Sequence, residues 1–130
     1  MMAAAELYEN LYQEEVYRIP PGPMIVLDKA WDELTADELD LITKIVEVAL
    51  KLTFPKVRIT TRPECDPADL LIFNPSNVIL FGVRPVSPEH QRYERIDVGS
   101  ASFVYADSLS DLDDARKKSL WRVMRPMFGV

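Results

Sequence analysis

At 130 residues, with 48% hydrophobic and 28% charged residues, the chain has the size and composition of one globular domain with a single core. Its apolar runs are too short to span a bilayer, and no basic stretch followed by an apolar one opens it, so neither a transmembrane helix nor a signal peptide is expected. The net charge of −6 is uneven: residues 1–50 carry eleven acids and three bases, residues 51–130 ten acids and twelve bases, so the front of the chain would repel DNA and any nucleic-acid connection is expected through a partner protein.

Residues 1–22 read as an N-terminal segment distinct from the domain at 23–130. Leu7, Tyr8, Leu11 and Tyr12 have the spacing of a short amphipathic helix among Glu6, Glu9, Glu14 and Glu15. Val16, Tyr17 and Ile19 follow. The segment is either a helix packed on its own domain or a peptide that docks in a partner's groove, and the spacing leaves both open. Pro20, Pro21 and Pro23 around Gly22 mark the boundary.

The continuous apolar run Pro23–Asp28 predicts a strand at 24–28 buried on both faces. Thr35-Ala36-Asp37-Glu38 is a capping box that opens a helix over 35–52, stopped before Pro55. Apolar residues cover most of that helix, leaving Asp40, Lys44, Glu47 and Lys51 as its polar stripe. So wide an apolar surface needs more than one neighbour: the sheet and another element, or in part another protein. Alternation in Lys56–Thr61 predicts a second strand, joined to the first by a parallel crossover. Asp66-Pro67 has the form of an N-cap and first helical residue of a short helix reaching Phe73, with a strand at Leu70–Phe73 as its rival. Val78–Val83 reads as a third buried strand, in which Gly82 allows a bend or a close backbone approach. Residues 84–100 read as one long irregular stretch.

A fourth strand over 101–106 leads into a helix over 109–125. Ser108 or Ser110 is its expected cap and Pro126 its expected end. Leu109, Leu112, Leu120, Val123, Met124 and Met127 form its core face, and Trp121 points about a quarter-turn away.

Little points to catalysis. His90 is the one histidine, and it sits in a loop with no evident partner to make it a base. One His and one Cys do not make a zinc site. The four glycines never cluster as a phosphate loop does. Cys65 cannot form an internal disulfide, lacks an electropositive setting, and fits a reducing, cytoplasmic location. Asp28 ends the first strand, where α/β enzymes often place a carboxylate, although a turn residue is the plainer reading. No cofactor or metal is expected.

The order of these elements resembles the psi subunit of the bacterial DNA polymerase III clamp loader. The pieces are Val16-Tyr17-Arg18-Ile19-Pro20, the strand Met24–Leu27, the capped helix from Thr35, the second strand with the short helix at Asp66-Pro67, the strand ending Phe81-Gly82, and the block from Asp107 to Trp121. The resemblance implies an α/β domain of uracil-DNA-glycosylase-like fold: a mostly parallel four-stranded sheet flanked by helices, without glycosylase activity. It implies an adaptor that links the clamp-loader ATPase subunits to a further replication protein, through a chi-like partner. Leu7, Tyr8, Leu11, Tyr12, Tyr17 and Trp121 are the expected partner-binding residues. The acidic, tyrosine-rich residues 1–15 differ from the family's collar-binding peptide. An active glycosylase of the same fold is the rival. Arg84-Pro85-Val86-Ser87-Pro88 resembles that superfamily's His-Pro-Ser-Pro loop with Arg84 at the His position, while Asp28-Lys29-Ala30-Trp31 lacks its Gly-Gln-Asp-Pro motif. An α/β interaction domain outside replication is the third reading.

Overall fold

The structure, a computed structural model, describes residues 20–130. Seven strands occur among them: β1 (Gly22–Leu27), β2 (Arg58–Thr61), β3 (Glu64–Cys65), β4 (Pro75–Phe81), β5 (Arg84–Pro85), β6 (Ile96–Val98) and β7 (Ala101–Ala106). Five of them form one sheet in the order β2-β1-β4-β7-β6, and β3 pairs with β5 in a small two-stranded sheet. All neighbours in the main sheet are parallel except β6 and β7. The expected four-strand sheet therefore lacked one member, β6. The stretch 84–100 is not wholly irregular, because it holds β5 and β6.

Alternation along the strands divides the core in two. Ile25, Leu27, Ile79, Phe81, Val104 and Ala106 face one side. Met24, Val26, Val78, Leu80, Phe103 and Tyr105 face the other. Side chains buried on both faces account for the unbroken apolar runs of β1, β4 and β7. Both α-helices cover the first face: α1 (Ala36–Thr43) and α2 (Asp114–Phe128). The second face is covered by Cys65 and by Leu70 of a 3-10 helix, Pro67–Phe73. Asp66 caps that helix by accepting a hydrogen bond from the Ala68 N–H at 3.2 Å, so the rival strand at 70–73 is excluded.

The capping box of α1 is formed on both sides: the Glu38 N–H donates to Thr35 Oγ1, and the Thr35 N–H to Glu38 Oε1. The helix does not run to 52 as one α-helix. It widens into a π-helical turn over Lys44–Ala49, closed by the Leu50 N–H on the Ile45 carbonyl at 2.9 Å. Lys51, at φ 56°, then turns the chain out of the helix.

Two expectations for α2 are corrected. Its cap is Asp113, which accepts from the Arg116 N–H at 2.8 Å, and Leu109–Asp111 upstream form a separate 3-10 turn. Burial of both Leu109 and Leu112 holds that turn and moves the helix start forward. Pro126 lies inside the helix and does not end it. In the last turn its missing N–H removes one bond, Met127 anchors the turn in the core, and Gly129 at φ 68° closes it. Among the described residues no helix is long and apolar enough to cross a membrane.

Candidate functional site

Two places on the described domain gather functional side chains. The first is the edge where β1, β4 and β7 end. There Asp28, Gly82 and Asp107 each follow the last residue of their strand. Connections leave β1 and β4 in opposite directions across the sheet, which makes this the crevice where open α/β sheets usually bind ligands. Gly82 has φ +70°, and a Cβ there would meet Asp28 Oδ2 and stand 2.7 Å from Asp28 Cγ and 2.8 Å from Ser108 Cβ. Only glycine lets the Asp28 carboxylate lie against the strand end.

Asp107 is held from three sides: by the Tyr93 hydroxyl, by Arg92, and by Arg116 Nε at 3.2 Å. Burial alone would push its carboxyl up, but Tyr93 and the two guanidiniums more than offset this and hold it below the usual carboxylate range. Burial and the Asp107 carboxylate push the Tyr93 phenol up to about 12. Tyr93 sits at φ 62°, an unfavourable backbone for an aromatic residue, fixed by its N–H on the Tyr105 carbonyl at 2.8 Å. Nearby Lys29 Nζ meets the buried Glu38 Oε1 at 2.6 Å, while Glu38 Oε2 has no partner among the described residues. Burial pushes Glu38 up, yet Lys29 and Thr35 bring it below the ordinary range. These carboxylates stabilise their neighbours as anions. Among the described residues no three His, Cys, Asp or Glu converge as metal ligands.

The sign of the Asp107 shift sets a pH test. A carboxyl depressed by folding contributes stability above its unfolded value, about 4, and loses it as the pH falls through the lower folded value. Denaturant melts taken from about pH 5 down towards 2 should show a steeper stability loss in the parent chain than in Asp107→Asn. Tyr93 behaves oppositely. Its contribution is full below about 10 and lost as the pH rises to the folded value. Tyr93→Phe should remove that alkaline loss. Equal slopes in parent and variant would mean that these contacts do not form in solution.

The second place is a groove of about 410 Å³ between the helices. Leu41, Ile45 and Val48 line it from α1 and its π turn, and Leu120, Trp121 and Met124 from α2. Val48 is 71% exposed, so the wide apolar surface expected of this helix is only partly covered. Lys44 and Lys117 stand at the rim. On the other side of Trp121 a cleft of about 680 Å³ is lined by Lys118, Arg122 and Arg125, with the Arg125 guanidinium 5.8 Å from the indole centre.

Of the residues singled out by sequence, Trp121 lies in this groove. Leu7, Tyr8, Leu11, Tyr12 and Tyr17 lie outside the described residues. His90 is not a freely solvated loop side chain. It stacks on Tyr105 with ring centres 6.1 Å apart, and its Nδ1 is buried without a partner among the described residues. Cys65 is buried, and burial pushes its thiol up. Arg84 pairs with Glu64 at 3.5 Å. Sequence reading missed Val48 and the Asp107 cluster. The excess apolar surface of the helix signalled the first; nothing local signalled the second, whose members come from three separate segments.

The chain matches no known protein family model, no curated protein and no solved structure.

Proposed function

We propose that this chain is a non-enzymatic adaptor subunit of the psi kind, which holds clamp-loader ATPase subunits with one element and a further replication protein, chi-like, with another. The fold it would share is the uracil-DNA-glycosylase-like one. The observation that supports this most is the uncovered α1–α2 groove: an apolar floor, an aromatic wall in Trp121 and a basic rim suit a protein surface with large apolar anchors and acidic neighbours. The N-terminal anchors Leu7, Tyr8, Leu11, Tyr12 and Tyr17 are the second docking element. A pull-down with the full chain, read by mass spectrometry, should return clamp-loader subunits. Trp121→Ala and Val48→Glu should each weaken the complex by about 2 kcal/mol, roughly 30-fold in Kd. Melting should change little in Val48→Glu, whose side chain is 71% exposed, and fall in Trp121→Ala, whose ring packs partly on the core. Recovery of no replication protein would leave an interaction domain outside replication.

One observation favours a second reading. Asp28 stands against Gly82 at the mouth of the crevice, where a hydrolase would keep a carboxylate. The weight lies against it, since Arg84 stands at the motif's histidine position and Asp28-Lys29-Ala30-Trp31 lacks the water-activating loop, so the charge-stabilising groups of base excision are missing. Incubation with uracil-containing single- and double-stranded DNA should release no base. Turnover that disappears in Asp28→Ala or His90→Ala would overturn the adaptor reading.

A further inference from the structure

We infer that the outer face of α2, on the side of Trp121 away from the α1–α2 groove, binds single-stranded nucleic acid. This goes beyond the adaptor reading and does not rest on it. Lys118, Arg122 and Arg125 fall at i, i+4 and i+7 of the helix and so form one row about 10 Å long. All three are exposed, and none of them enters an ion pair among the described residues. The neighbouring bases are engaged elsewhere. Arg116 is held by Asp107 at 3.2 Å and Asp113 at 3.0 Å, and Lys117 lines the α1–α2 groove. The one acid of the helix, Asp114, lies in its first turn. Charge summed along the chain hides this row, which is why composition pointed any nucleic-acid contact to a partner protein.

The row borders an aromatic platform. The Arg125 guanidinium lies 5.8 Å from the centre of the Trp121 indole, within cation–π range. It is held there by the end of the helix: Gly129, at φ 68°, turns the chain back, and Arg125 Nε donates to the Val130 carbonyl at 3.2 Å. A guanidinium fixed beside an indole leaves little rotamer freedom to lose on binding. A single strand needs these two things together, cations for its phosphates and a flat face on which a base can stack.

Other anions fit less well. A duplex keeps its base faces in its own stack and would offer the row phosphates alone. An acidic peptide suits the row but finds no pocket for an apolar anchor. The rest of the lining is Pro126, Gly129 and Val130, while the aliphatic side chains lie in the groove on the other side of Trp121. With three cations on a chain of net charge −6, binding should be weak and steeply salt-dependent.

The test uses the full chain. Trp31→Phe leaves Trp121 as its sole indole, whose fluorescence oligothymidylate should quench at low salt. Anisotropy of labelled oligothymidylate should show log K falling against log salt with a slope of about −2, from −0.7 for each of three phosphates. Oligouridylate should bind alike, since phosphates and base faces are common to both strands. Lys118→Gln and Arg122→Gln should each weaken binding several-fold and flatten the slope by about 0.7. Both side chains are exposed, so neither change should disturb folding. An abasic strand of the same length should bind about tenfold more weakly and leave the indole unquenched. No binding at low salt, binding indifferent to both variants, or an abasic strand as good as oligothymidylate would overturn the inference. So would equal binding of a duplex, or of polyglutamate, which would make the face a site for acidic peptides. No partner protein enters these readouts, so failure of the adaptor reading would be seen separately.

Discussion

Gly82→Ala should lower the melting temperature by about 10 °C, corresponding to a loss on the order of 3 kcal/mol. Two costs act together. The φ of +70° places an alanine in left-handed backbone, and the new Cβ would stand 2.7 Å from Asp28 Cγ and 2.8 Å from Ser108 Cβ. Strand ends cannot move apart to relieve this, because the Gly82 N–H is bonded to the Ala106 carbonyl at 2.9 Å and the Asp28 N–H to the Phe81 carbonyl at 3.2 Å. Asp28→Gly in the Gly82→Ala background removes the carboxylate contact and leaves the backbone strain, so it should recover part of the loss. Additive effects of the two substitutions would show that the carboxylate swings away freely and that the crevice is not a packed junction. Thermal melts of the four chains decide this.

Tyr105→Ala should cost about 4 kcal/mol, and Tyr105→Phe about 1 to 2. The ring is fully buried on the second face, so its removal leaves a cavity. The hydroxyl donates to the Cys65 carbonyl at 2.6 Å, tying β7 to the short β3. Phenylalanine keeps the ring and leaves that carbonyl unpaired. The position also anchors the loop: His90 stacks on the ring, and the Tyr105 carbonyl accepts the Tyr93 N–H. Hydrogen exchange should therefore rise across residues 86–94 in the alanine variant and stay near parent levels in the phenylalanine one. A phenylalanine variant as unstable as alanine would place the energy in the hydrogen bond and not in packing.

Residues whose partners lie nearby in sequence declared their structure. The runs of β1 and β7, the Thr35/Glu38 box and the Asp66 cap are local patterns, and each formed close to the expected boundaries. The strand expected at 78–83 formed at Pro75–Phe81: Gly82, at φ 70°, ends it early, and residues 75–77 join it because Gly22 and β7 offer them partners. β6 did not declare itself. It is three residues long, too short for a periodic signal, and it is a strand because its backbone pairs antiparallel with β7 across the turn Gly99-Ser100, Val98 opposite Ala101; Ser102 Oγ, donating to Asp97 at 2.6 Å, adds a side-chain tie. The start of α2 was ambiguous for a different reason. Ser108, Ser110, Asp111 and Asp113 can all cap, and burial of Leu109 and Leu112 decides among them. The groove was legible only as an excess of apolar residues on one helix. Its second wall required knowing that α2 packs on the same face.

The π turn at Lys44–Ala49 bears on how this sequence can change in length. Its hydrogen bond closes over one residue more than an α-helical turn does. Deleting one residue there would let i→i+4 bonding continue, with little loss of backbone hydrogen bonds, where the same deletion in β1 or β4 would reverse every side chain beyond it. Length variation is therefore cheap at this point, and related chains one residue shorter would keep the core from Ile42 upstream. They would lose the register that exposes Val48. A single-codon deletion could thus close one wall of the groove while the fold survives, and a single-codon insertion could create one.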